Sequence, residues 1–149
     1  MFFQKKNAYE KSASNLCQTA IEYARSFEKE LDFSHESIKD LEEILDYYSK
    51  DIEVSQPTDQ QVWSMALIFG SYLGETMLKN GLKKKGYRWD ILEDNEIMLL
   101  LHKDKSYYTP VDKVYKRLVY GQEDSVESFY DTFILSGPED WDSLNERGE

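Results

Sequence analysis

Two glycines, Gly70 and Gly74, lie four residues apart in the segment "FGSYLGE", inside a pattern that otherwise predicts a strong helix. Each glycine destabilises a helix interior by about 1 kcal/mol relative to alanine. Together with Ala66 they form a nearly smooth stripe, because residues four apart lie on the same face of a helix. The stripe predicts that a neighbouring helix, or a hairpin carrying Trp89, approaches this face unusually closely.

Glu75 follows the second glycine directly, at the edge of the smooth stripe. A carboxylate there is expected to be partly buried and paired with Arg88, Tyr72 or a backbone amide. Partly buried carboxylates occur both at functional sites and in structural networks. The sequence leaves both roles open for Glu75, and it makes Glu75, Arg88 and Trp89 candidate binding residues.

Five helices are predicted, and the glycine helix is the third. It should begin at Thr58, which has capping-box spacing to Gln61, and end near Asn80, where Gly81 would supply a left-handed residue. The other four are predicted from their apolar spacing at about 8–31, 35–52 after a Ser34 cap, 110–120 between a Thr109 cap and Gly121, and 124–134.

Between the third and fourth helices the apolar spacing changes from helical to alternating. Tyr87, Trp89 and Ile91 should share one face of a strand, and residues 93–96 should form a turn. The run "IMLLL" predicts a second strand covered on both faces, and a short third strand is expected near Tyr107. The fold class is therefore α+β and mainly helical, with one small antiparallel β-hairpin packed on the central helix. One domain should span residues 1–149, with a core at about 8–134 and an acidic tail at 136–149.

The formal net charge is −11, and the acids are unevenly spread. Residues 28–53 hold ten acids and three bases, and residues 122–149 hold nine acids and one base, whereas residues 79–88 hold five bases and no acid. This balance argues against nucleic-acid binding, which depends on neutralising phosphates, and it suits a partner with a basic surface. Glu42, Glu43 and Asp46 are predicted to form a solvated acidic face. The lysines at 79–85 suit a helix C-terminus, with an anion site as the alternative.

No catalytic or cofactor motif stands out, and none of the usual metal-ligand spacings occurs. The single cysteine, Cys17, lies in the apolar stripe of the first helix, so a buried thiol is expected rather than a nucleophile. The longest apolar runs have five residues, whereas a membrane span needs about twenty. A cytoplasmic protein without cofactor is the expectation.

Four segments, "GSYLGE", "GYRWDIL", "YTPVDKVYKRLVYG" and "EDSVESFY", occur in this order over residues 70–130. In this the chain resembles a bacterial family of uncharacterised small cytoplasmic domains, in which a Gly-x-Tyr-Leu-Gly-Glu helix precedes a Trp-bearing hairpin. The resemblance covers about residues 58–134. It implies a small α+β domain and no assigned reaction.

Three functions stay open at this point. The first is a non-enzymatic acidic protein-binding domain, in its most concrete form an immunity- or antitoxin-like inhibitor of a basic partner. The second is an enzyme or small-ligand binder with a pocket between the third helix and the hairpin. The third is a structural, homo-oligomeric protein with Tyr107, Tyr108 and Trp141 in its contacts.

Overall fold

The computed structural model describes residues 8–93 and 97–136, and within them the fold is mainly helical α+β, as predicted. In chain order the elements are α1 (Ala8–Arg25), α2 (Ser37–Ser55), α3 (Asp59–Met77), β1 (Arg88–Glu93), β2 (Ile97–Lys103), β3 (Ser106–Tyr108), α4 (Pro110–Tyr120) and α5 (Val126–Tyr130). Shorter turns lie between and after them: π-helical at Leu78–Leu82 and Asp131–Ser136, and 3-10 at Gln122–Asp124. The predicted tail, with Trp141, and most of the predicted turn at 93–96 lie outside the described residues.

The predicted hairpin forms, and it gains the expected third strand. The three strands make one antiparallel sheet in the order β1-β2-β3, with Trp89 opposite Leu101 and Leu101 opposite Tyr108. Leu99, Leu100 and Leu101 are all buried, so β2 is covered on both faces along this stretch, as predicted. Trp89 is buried, and Tyr87 and Ile91 pack against the same core.

The helix α3 occupies the centre of the core, and α1 and α4 pack against it. Its predicted capping box is present: Gln61 N donates to Thr58 Oγ1 at 3.1 Å, and Thr58 N donates to Gln61 Oε1 at 2.8 Å. The prediction for Gly81 is wrong, because the chain continues through the π-helical turn and Gly81 has φ 165°. The left-handed residue lies further on, at Gly86 (φ 101°).

Other helix ends, and one predicted cap, also differ from prediction. The helix α1 stops at Arg25, because Glu28 adopts a left-handed conformation and Lys29 N donates back to Ala24 O at 3.1 Å. The helix α2 begins at Ser37 rather than 35, although the predicted Ser34 still accepts a hydrogen bond from Ser37 N at 3.1 Å. Thr109 makes no side-chain cap, whereas Pro110 begins α4 and Gly121 ends it as predicted. The predicted fifth helix forms as α5 and the π-helical turn that follows it.

The glycine stripe is occupied by both of the predicted neighbours. A methyl group at Gly70 would lie 2.6 Å from Val111 Cα, so the backbone of α4 crosses α3 at this point. A methyl group at Gly74 would lie 2.2 Å from Trp89 Cη2, so the indole of β1 lies directly on the second glycine. The absence of side chains at these two positions therefore allows both the helix and the hairpin to dock.

Candidate functional site

Glu75 is held by the tryptophan that covers the glycine beside it. Its Oε2 accepts a hydrogen bond of 2.7 Å from Trp89 Nε1. The predicted partners Arg88, Tyr72 and a backbone amide are therefore wrong, and the structure pairs two residues that the sequence had named separately. Because the indole is buried, its N–H requires an acceptor, and Glu75 supplies it. This contact gives Glu75 a structural role.

A polar cleft opens beside this pair, between α1, the π-helical turn after α3, and β1. Its volume is about 170 Å³. The lining comprises Glu10, Ser14, Glu75, Leu78, Lys79, Lys83, Tyr87, Arg88 and Trp89. The three residues predicted for a pocket here, Glu75, Arg88 and Trp89, therefore surround one cleft. Ligand sites for larger organic molecules usually enclose about 300–1,000 Å³, so only a small ligand fits.

The predicted acidic residues surround a second depression, of about 370 Å³, between α2 and the end of α4. Its lining contains Glu42, Glu43 and Asp46 together with Arg117, Gln122 and Ser125. Arg117 is only 1 % exposed. Its Nε donates to Glu42 Oε2, and its Nη2 donates to Asp46 Oδ1 at 2.9 Å.

The expectation of a solvated acidic face is therefore wrong for Glu42 and Asp46, whose side chains are half-buried. Glu42 and Asp46 turn towards Arg117, because a buried guanidinium requires carboxylate partners. Glu43 does face solvent, with its side chain 54 % exposed, and it accepts a bond of 2.8 Å from Lys29.

The electrostatics of this cluster follow from its contacts. Burial alone lowers the pKa of Arg117, but the hydrogen bonds to Glu42 and Asp46 outweigh it and raise that pKa above its ordinary value. Lys50 and Arg117 lower the pKa of Asp46 to about 2. Arg117 Nη1 is buried and has no hydrogen-bond partner among the described residues.

Sequence reasoning did not select Arg117, although a signal was present. Arg117 lies three residues after Val114 and one before Leu118, so the apolar spacing of α4 passes through it. A charged residue on a buried stripe needs partners from another element. The acidic residues of α2, Glu42, Glu43 and Asp46 among them, were the available candidates.

Glu42 also joins the two acidic runs of the sequence. Its Oε1 accepts a bond of 2.8 Å from Ser125 Oγ and one of 2.9 Å from Glu127 N. The run at 28–53 therefore contacts the beginning of the run at 122–149, although the two are more than sixty residues apart in the chain. The fold thus brings Glu42 of α2 against Ser125 and Glu127.

A third, wider groove of about 410 Å³ lies between α2, α3 and α4. Apolar side chains supply much of its lining, including Ile52, Val62, Met65 and Leu118. None of the residues predicted as candidates for binding lies in it.

Nucleophilic chemistry at Cys17 is disfavoured by its surroundings. The thiol is buried, and burial, with the nearby Glu75 carboxylate, raises the pKa of Cys17 to about 12. Within residues 8–93 and 97–136, no three His, Cys, Asp or Glu residues are grouped as a metal site would require. In the same part of the chain, no helix has the length and apolar character needed to cross a membrane.

Comparison of the chain with protein-family models, with curated proteins and with solved structures finds no match.

Proposed function

We propose that this chain is a non-enzymatic protein-binding domain that recognises a basic partner through its acidic face. We define the acidic face as the depression lined by Glu42, Glu43 and Asp46 and the adjoining segment 122–131. An immunity- or antitoxin-like inhibitor, which covers a basic surface of a toxic partner, is the most concrete form of this proposal. We place the interaction in the cytoplasm, where a single buried cysteine stays reduced.

The observation that carries the proposal is the meeting of the two acidic runs at Glu42. Segment 122–131 contributes Glu123, Asp124, Glu127 and Asp131 and no base, and Asp124 is paired with Lys113 of α4 at 3.2 Å. Charges of one sign gathered on one face raise the rate of encounter with an oppositely charged protein and select against partners of the same sign.

The arrangement is also held in place before any partner arrives. Arg117 fixes Glu42 and Asp46, so these carboxylates lose little conformational freedom on binding. Asp46 and Glu43 also pair with Lys50 and Lys29, respectively, and the Lys50 side chain is 74 % exposed. Ion pairs at the surface stabilise a fold little, so cations of a partner can replace the two lysines at little cost.

The test is capture of partners from the native cytoplasm with the wild-type chain and with two charge-reversal variants. Glu43→Lys changes the acidic face, and Glu22→Lys makes the same change at an exposed position of α1. A basic protein should bind the wild type stoichiometrically. We expect Glu43→Lys to weaken that binding by at least about tenfold and Glu22→Lys to weaken it much less.

Three outcomes would overturn the proposal: equal effects of both variants, affinity that does not fall with added salt, or a captured partner without a basic surface. A complex containing only this chain would instead favour the homo-oligomeric alternative, for which Tyr107, 55 % exposed, is available.

Membership of the bacterial family with the Gly-x-Tyr-Leu-Gly-Glu helix is also a proposal. It is supported by the contacts among three residues of that pattern, since Trp89 covers Gly74 and donates to Glu75. These contacts suit a pattern that marks a fold and not a reaction.

A further inference from the structure

We propose that the cleft beside Trp89 binds the oxyanion group, phosphate or carboxylate, of a small molecule. This site is separate from the acidic face and does not depend on the function proposed for it. A small-molecule ligand here would correspond to the second function considered from the sequence, a pocket between α3 and the hairpin.

Cationic side chains converge on the cleft from two elements. The π-helical turn supplies Lys79, Lys83 follows directly after it, and β1 supplies Arg88. A hydroxyl from Ser14 of α1 lies in the same lining. Arginine matches the geometry of a carboxylate or phosphate with two parallel N–H donors, and lysine adds a compact charge.

Two of these cations are not engaged by the protein's own acids. Among the described residues, neither Lys83 nor Arg88 forms a salt bridge or a side-chain hydrogen bond, although the chain carries a formal charge of −11. Lys79 lies over the ring of Phe33, with Nζ 4.9 Å from its centroid. In so acidic a chain, cations that face a shared cleft without a carboxylate partner favour an external anion.

The carboxylates in the lining limit which anions can bind. Glu75 is engaged by Trp89 Nε1, and Glu10 lies on the α1 side. With three bases and two acids, the charged side chains of the lining sum to +1. The cleft therefore suits one oxyanion group on a compact molecule and disfavours polyanions such as nucleic acid.

Trp89 gives the cleft a rigid wall. Trp89 is 1 % exposed, lies against Gly74 and is hydrogen-bonded to Glu75, so its indole cannot rotate without breaking these contacts. A fixed wall favours a defined ligand over diffuse attraction of ions. The indole N–H is also a built-in reporter, because an anion entering the cleft changes the field at the Trp89–Glu75 hydrogen bond.

The test is an NMR titration of the full chain with inorganic phosphate and, separately, with acetate, at constant ionic strength. We expect saturable shifts at the Trp89 indole N–H and at the amides of residues 83–88, with a dissociation constant on the order of 1 mM. Saturation by phosphate alone identifies a phosphate-bearing ligand, and saturation by acetate alone identifies a carboxylate-bearing one. The absence of saturable shifts up to about 50 mM of either probe overturns the proposal.

Two neighbouring lysines provide a matched pair of variants. Lys83→Gln and Lys84→Gln remove the same charge one residue apart, and only Lys83 lines the cleft. We expect Lys83→Gln to weaken binding about threefold to fivefold and Lys84→Gln to change it little. Equal weakening by both variants would show nonspecific attraction to a basic segment and would overturn the site.

Discussion

The packing of Trp89 on Gly74 predicts that Gly74→Ala destabilises the fold, although alanine is the better helix former. The added methyl group would lie 2.2 Å from Trp89 Cη2, 2.5 Å from Trp89 Cζ2 and 3.1 Å from Pro110 Cγ. Separations below 3 Å require an atom to move. The indole is buried and tied to Glu75, so its movement breaks a hydrogen bond as well as packing.

The magnitude follows from three opposing contributions. Overpacking of a filled core costs about 1–3 kcal/mol. Weakening a hydrogen bond to a charged group costs roughly 1.5 kcal/mol more. The helix propensity of alanine returns about 1 kcal/mol. The net expectation for Gly74→Ala is therefore a loss of about 1.5–3.5 kcal/mol in the free energy of unfolding.

Urea unfolding followed by far-UV circular dichroism measures this loss. Ser64→Ala, at an exposed position of α3, is the control and should leave stability within about 0.5 kcal/mol of the wild type. Trp89→Phe removes the outer indole ring that the methyl group would meet, so the double variant should be less destabilised than the sum of the single variants. A Gly74→Ala protein at least as stable as the wild type, or additive effects in the double variant, would refute the reasoning.

The remaining predictions concern the Arg117 cluster and the buried thiol. Arg117→Gln leaves two carboxylates without their buried partner and should lower the free energy of unfolding in urea by about 3 kcal/mol. The control Lys116→Gln, at the exposed neighbouring position, should lower it by less than about 1 kcal/mol. Equal small losses in the two variants would contradict the account. Asp46 has a pKa of about 2 in the fold against 3.8 ordinarily, so its stabilising effect is present above pH 4 and is lost as the pH falls towards 2. The pH dependence of unfolding in that range should be shallower in Asp46→Asn, and identical slopes would oppose the assignment. Cys17 should react with a thiol reagent at neutral pH only after unfolding, since burial raises its pKa to about 12; rapid reaction of the folded chain would argue against this burial.

Local sequence signals predicted helix ends where a residue type strongly prefers one position, such as a cap or a first helical residue. Thr58 with Gln61 marked the start of α3, and Pro110 with Gly121 marked both ends of α4. The end of α1 was not predictable in this way, because the left-handed position is occupied by Glu28, a residue type that rarely adopts this conformation.

At the candidate sites, the sequence predicted the position of side chains but not their hydrogen-bond partners. Spacing along α3 placed Glu75 at the edge of the glycine stripe, but its partner Trp89 was fixed only by how the hairpin docks. The expectation for Glu42 and Asp46 failed for a related reason. The two carboxylates lie off the apolar stripe of α2, and only the packing of α4 brings a buried arginine to them. Side-chain pairs between distant elements depend on tertiary packing. The apolar spacing within one helix does not predict which side chains of other elements it will meet.

The proposal of an acidic binding face is tested most directly by mapping a bound partner onto the chain. Amide hydrogen exchange of the wild-type chain, alone and in complex with the captured basic protein, reports which segments the partner covers. The account predicts added protection in α2 around residues 42–46 and in segment 122–131. Protection confined to α1 and β1, or spread over Tyr107 and Tyr108, with none at residues 42–46, would contradict it.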